Sequence, residues 1–125
     1  MKYKIIGVKE NVGLIELGGD LEVPKSVELL RVAENLFSMG VKDILIHLVE
    51  TQFMSHVAVG VIATISRSAH ARKGKLTILY DHEKVFTLLD NMGLAKYIDF
   101  PSNMEDALSS FANNYHLNVS DRARI

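Results

Sequence analysis

The sequence predicts an α/β domain built on a mixed sheet of about four to five strands and four helices, in the order β-β-α-β-α-β-α-β-α. Three observations carry this. Residues 2–8 and 12–17 are rich in Ile, Val and Leu and are separated by a short link, Glu10-Asn11 among it, as in a hairpin. Residues 44–49 and 76–80 are nearly continuous apolar runs, the pattern of parallel strands covered on both faces. Between and after them lie stretches with apolar residues at helical spacing, and alternation of strand and helix requires crossover connections and parallel pairing.

Each element has its own signal. Gly18-Gly19-Asp20 breaks the second strand. Pro24 stands at a tolerated first helical position, Leu29, Val32, Ala33, Leu36 and Phe37 form one face, and Met39-Gly40 closes the helix with a left-handed cap. The second helix starts near Ser55, carries Ala58, Val61, Ile62, Ile65 and Ala69 on one face, and ends at Gly74. Asp81 is the expected N-cap of a third helix whose buried stripe is Val85, Leu88, Leu89 and Met92, with Gly93 as its stop. Residues 97–100 read as a short last strand. Ser102-Asn103-Met104-Glu105 reads as a capping box before a final helix with Met104, Ala107, Leu108 and Phe111 inward. One domain over residues 1–113 is expected, followed by a loose tail over 114–125.

Composition narrows the function. With 125 residues the chain suits one domain. It has no cysteine, so disulfides, thiolate metal sites and cysteine nucleophiles are excluded, and the composition suits a reducing cytoplasm. Fourteen Lys and Arg nearly balance fifteen Asp and Glu, which gives no field for nucleic acid or an anionic membrane. The start MKYKIIGVKE has too short an apolar stretch for a signal peptide, and no run approaches the roughly twenty residues of a spanning helix. A cytoplasmic globular protein is expected.

Motifs of catalysis are scarce. GGDLEVPKS lacks the spacing of a phosphate loop. His47, His56, His70, His82 and His116 show no metal-ligand spacing, so no metal or cofactor is expected. His47, within an apolar strand, is expected to be a core histidine with its hydrogen bonds satisfied. Asp81-His82-Glu83 reads as a cap followed by an acidic first turn, rather than as an acid-base cluster. Arg67, Arg72 and Lys73 gather toward the end of the second helix, where they complement its dipole and are the candidate contacts for an anion.

Three segments then resemble the STAS family, the module of anti-sigma factor antagonists and of sulfate-transporter C-termini. Gly19-Asp20-Leu21-Glu22 is similar to the family's element after the second strand. Asp43-Ile44-Leu45-Ile46 with Phe53-Met54-Ser55-His56-Val57-Ala58-Val59-Gly60-Val61-Ile62 resembles its strand-loop-helix. Gly93-Leu94 through Glu105-Asp106-Ala107-Leu108 resembles its last strand-helix segment. The resemblance covers residues 5–110. It implies a sheet with helices mainly on one side, no catalysis, and docking onto a protein partner, an anti-sigma factor or a serine kinase of the ATPase type.

In the antagonist branch a serine at the start of the second helix is phosphorylated and binding ends. Aligned on Phe53-Met54 and Gly60-Val61-Ile62, that serine falls at His56 here, and the aspartate before it falls at Ser55. Ser55 is expected to cap the helix and is the candidate displaced phosphoacceptor. His56 is expected to be a recognition residue. The expected docking face is Ser55, His56, Val57, Ala58 and Val59, with Asp20 and Glu22 from the loop after the second strand. The alternative is a sensor or scaffold domain for a nucleotide or anion, held by Arg67, Arg72 and Lys73.

Overall fold

The computed structural model describes residues 1–7 and 11–117, with side chains to Phe111. Its element order is β1 (Lys2–Gly7), β2 (Asn11–Gly18), α1 (Val23–Ser38), β3 (Asp43–Val49), α2 (His56–Ala71), β4 (Leu76–Tyr80), α3 (Glu83–Asn91), a 3₁₀ turn (Ala95–Tyr97) and α4 (Met104–Leu117). The strands form one sheet in the order β1-β2-β3-β4. β1 runs antiparallel to β2, with Gly7 opposite Asn11, while β2, β3 and β4 are parallel. The hairpin reading therefore holds in its pairing, although its link over 8–10 lies outside the described residues.

Side chains alternate across the sheet, so each strand feeds two layers. Ile15 and Leu17 of β2, Ile44, Ile46 and Leu48 of β3, and Leu76 and Ile78 of β4 share the main core with α1, α2 and α3. Val12, Leu45 and Leu79 point the other way and meet Ala107 and Phe111 of α4. Three helices thus cover one face and one covers the other. Gly13 makes the α1 side fit: a Cβ there would stand 2.9 Å from Leu36 Cδ1 and 3.0 Å from Ile44 Cδ1.

The three core helices stop in one way. In α1, Val41 N–H donates to the Leu36 carbonyl and Gly40 N–H to that of Phe37; in α3, Leu94 and Gly93 do the same to Leu89 and Asp90; in α2, Gly74 and Lys73 do so to Ala69 and His70. This is the Schellman arrangement, which needs a left-handed residue after the cap. Gly40 and Gly93 supply it at φ 92° and 79°, whereas α2 uses Lys73 at φ 64°. The expected glycine stop of α2 is thus displaced by one residue. Gly74 is fixed for another reason, since a Cβ there would run into the Lys42 carbonyl.

Other expectations are corrected. Residues 97–100 do not add a strand. They pair with β4 only through a bridge from Thr77 to Asp99, because the 3₁₀ turn consumes their first residue. Asp81 does not cap α3; His82 holds the N-cap position, without a side-chain bond. The cap of α4 is Asn103, whose Oδ1 accepts from Asp106 N–H at 2.8 Å, one residue beyond the expected Ser102. Met92 is half exposed rather than buried, because it falls on the C-cap of α3. His47 is half-buried, with Nδ1 3.3 Å from Glu16 Oε2 on the next strand but out of line for a hydrogen bond, so it is not the satisfied core residue expected. α4 is Met104–Leu117, and residues 118–125 of the expected tail lie outside the described residues.

Candidate docking site

The parallel strands all point their C-terminal ends the same way, so the loops after β2, β3 and β4 meet at one end of the sheet. The segment after β3 is fastened to both neighbours. Gly19 N–H donates to the Val49 carbonyl at 2.8 Å, Leu21 N–H to Phe53 at 2.9 Å, and Ser55 N–H to Leu21 at 3.0 Å. Thr51, fully buried, donates its hydroxyl to the Gly19 carbonyl at 2.7 Å. Asp20 Oδ1 accepts from both Gln52 N–H and Phe53 N–H, at 3.0 and 3.1 Å. On the other side both oxygens of Asp81 accept from Glu50 N–H, at 2.9 and 3.1 Å. That clamp holds Glu50 in a left-handed conformation at φ 57°.

Backbone donors that turn away from secondary structure need acceptors, and carboxylates are strong ones. Asp20 and Asp81 meet this demand, which explains two acids at loop positions. The outcome is a fixed backbone carrying outward side chains. Phe53 has both its N–H and its carbonyl engaged, yet the residue is 53% exposed.

The start of α2 continues this end. Ser55 is the N-cap, with extended backbone, and its Oγ accepts from Ala58 N–H at 3.0 Å. His56 and Val57 occupy the first helical positions and are exposed, Val57 by 45%. Ala58 is fully buried, so its side chain is removed from the expected docking face; Val59 is 6% exposed and reaches the surface only as the floor of a groove. Glu22 is exposed at the N-cap of α1, where its carbonyl, not its carboxylate, accepts from Ser26 N–H.

That groove, of about 310 Å³, runs between α2 and α3. Met54, Val59 and Leu88 line it together with Phe53, Met92, Gln52, His56 and Lys84. Lys84 Nζ reaches Gln52 Oε1 at 3.4 Å and ties α3 to the loop. Sequence reasoning missed the contribution of α3. Phe53 carried a visible clue, a large aromatic between polar residues and the helix cap.

The candidate anion residues are elsewhere. α2 has sixteen residues, about 24 Å at 1.5 Å per residue; Arg67 belongs to its far half, Arg72 is its C-cap and Lys73 follows. Arg67 Nη2 donates to Thr64 Oγ1 and Arg72 Nη1 to the Ser68 carbonyl, each within its own helix. The Arg72 guanidinium also stacks 4.5 Å above the Phe37 ring. The structure does not gather them into a pocket with Ser55 and His56. Among the described residues no three His, Asp or Glu are placed to hold a metal, and no helix is long and apolar enough to cross a membrane.

Curated protein sequences give no match. Among solved structures, TM1081 of Thermotoga maritima, described as a candidate anti-sigma factor antagonist, superposes with a TM-score of 0.77 at 18% identity, over 87% of this chain and 92% of that one. The Bacillus cell fate determinant SpoIIAA in its phosphorylated form gives 0.68 at 18% identity, over 88% and 99%. The anti-sigma factor antagonist SpoIIAA in its unphosphorylated form gives 0.72 at 19%, over 88% and 96%. At such identities the likeness speaks for the fold. The family model of the STAS domain matches residues 3–107, nearly the whole described chain, and the protein therefore belongs to the STAS domain family.

Proposed function

We propose that this STAS domain is a non-catalytic protein-binding module of a bacterial, cytoplasmic signalling pathway, anti-sigma factor antagonist in type. It docks through the start of α2 and the loop before it onto an anti-sigma factor or a serine kinase of the ATPase type. The observation that carries this reading is the exposure of Phe53, His56 and Val57 on a backbone fixed by Asp20, Leu21 and Ser55. An exposed apolar patch rimmed by polar groups costs solubility and fits a partner surface. SpoIIAA, whose solved structures include a phosphorylated form, shares the fold. Here the position of the family's phosphoserine is held by His56, and Ser55 is the only hydroxyl at the helix start, so a covalent switch would act at Ser55.

The test is a pull-down from a lysate of the source cells with ATP present, with partners identified and phosphate mapped by mass spectrometry. A kinase-like ATP-binding partner, lost with Val57→Asp and weakened with His56→Asp, is the expected result. His56→Asp should leave the fold intact, because an acid at a helix start interacts favourably with the dipole. A partner retained at full strength by both variants places docking elsewhere.

A further inference from the structure

We propose that Gly60 is a contact residue of the docking surface, at which the main chain of the partner passes close against the backbone of α2. This rests on the docking reading above and adds the residue that sets how near the partner comes. The other glycines have grounds within the chain. A Cβ at Gly13 or Gly74 would collide with neighbouring atoms, and Gly19, Gly40 and Gly93 take left-handed backbone. Gly7 and Gly18 are the last residues of β1 and β2. Among the described residues Gly60 alone stands inside a helix. It is exposed, its φ is not positive, and a Cβ built on it would meet nothing within 4 Å. The fold therefore has room for alanine here and would gain from it, because glycine is among the poorest residues for a helix interior. Nothing in the described residues offsets that loss.

Its place gives the missing side chain a use. Gly60 follows His56 by four residues and Val57 by three, spacings that share one helix face, and both of those residues are exposed. The bare backbone is thus the next turn of the surface proposed for docking. The Gly60 carbonyl already accepts the Thr64 hydroxyl at 2.9 Å, so what this turn offers is the absence of a side chain rather than an unpaired acceptor. How closely two main chains pack depends on the side chains between them. Glycine lets another backbone come nearest. A partner anchored on Val57 meets this notch one turn further along α2, and its main chain fills it. A partner seated over His56 and Val57 alone would have no need of it.

The experiment uses the whole chain and the ATP-binding partner identified in the lysate experiment, purified and titrated by calorimetry. Gly60→Ala should unfold about 4 °C above the wild type, from the better helix propensity of alanine. The same variant should bind the partner about tenfold more weakly, since one methyl in a closely packed contact forces the two surfaces apart. Gly60→Gln, also a good helix former, should bind more weakly still. A gain in stability with a loss of binding cannot come from a damaged fold. Unchanged affinity in both variants overturns the inference, and so does a fall in Tm with Gly60→Ala, which would give the glycine a duty within the fold. A partner lost with Val57→Asp but bound normally by both Gly60 variants leaves docking standing and removes the close approach. A partner kept by all three variants, or no partner recovered, removes docking as well.

Discussion

Replacing Ser55 separates its duty in the fold from any duty in signalling. Its Oγ accepts from Ala58 N–H at 3.0 Å, which satisfies one of the free amides at the start of α2. Ser55→Ala removes that acceptor and should cost about 1 kcal/mol, within a range of roughly 0.5–2. Ser55→Asp keeps an acceptor and adds a negative charge at the positive end of the helix, a gain of about 0.3–1 kcal/mol. For 125 residues, an unfolding entropy of about 2.1 cal/mol/K per residue gives about 0.26 kcal/mol/K, so each kcal/mol moves Tm by about 4 °C. Thermal unfolding followed by circular dichroism should therefore place Ser55→Ala about 4 °C below the wild type and Ser55→Asp at or slightly above it. Equal losses in both variants would refute the capping argument, since a carboxylate at an N-cap cannot cost what its absence costs. If capping holds, any change in partner recovery with Ser55→Asp reports the added charge and not a damaged fold.

Other predictions draw on single features. Lys73→Gly relieves a left-handed lysine at the end of α2 and should raise stability by roughly 0.5–1 kcal/mol after the greater freedom of unfolded glycine is deducted; denaturant unfolding measures it. Asp20→Ala leaves the amides of Gln52 and Phe53 without their shared acceptor and should cost about 1–2 kcal/mol, with faster hydrogen exchange at those two amides than at β3. Tyr80 has its pKa raised, first by burial and then by the charge and hydrogen bond of Glu83. The fold thus favours the neutral phenol: its contribution is present below the unfolded tyrosine pKa and is lost as pH rises through the higher folded value. In an ultraviolet titration Glu83→Gln should lower the Tyr80 value only in part, because burial remains.

The parts of the fold decided locally were legible. Leu29, Val32, Ala33 and Leu36 fall at helical spacing and all prove buried, and the apolar run over 44–48 forms the central strand. Misreadings arose where a distant partner outbid a local one. Asp81 has the chemistry of a cap, but Glu50 N–H claims both of its oxygens, so α3 begins without a side-chain cap. Residues 97–100 are mostly aromatic and β-branched, as in a strand, yet only Asp99 finds the β4 edge, through bonds to Leu76 and Ile78. Met92 fits the stripe of α3 by spacing and misses the core by lying one residue past its end. For the site, Ser55 as a cap and exposed His56 and Val57 followed from sequence, whereas the α3 wall depended on how two helices lean together.

The position of Ser55 also bears on what kind of switch this end could carry. Its neighbours are fixed before any partner arrives: Ser55 N–H is bound to Leu21, Phe53 is bound on both sides, and Asp20 spans the loop. A modification here therefore has little conformational freedom to exploit. A phosphate on Ser55 would put nearly two negative charges at a helix start, where oxygens of the phosphate can replace Oγ as acceptor for the Ala58 amide. The fold would persist, and the change would be one of surface charge alone. That charge would stand at the exposed start of α2, beside His56 and Val57, so a partner fitted to the neutral hydroxyl would be expelled. Loss of the partner with Ser55→Asp, in a variant whose fold is intact, thus points to a contact made directly over Ser55 and His56, and unchanged affinity to one made elsewhere.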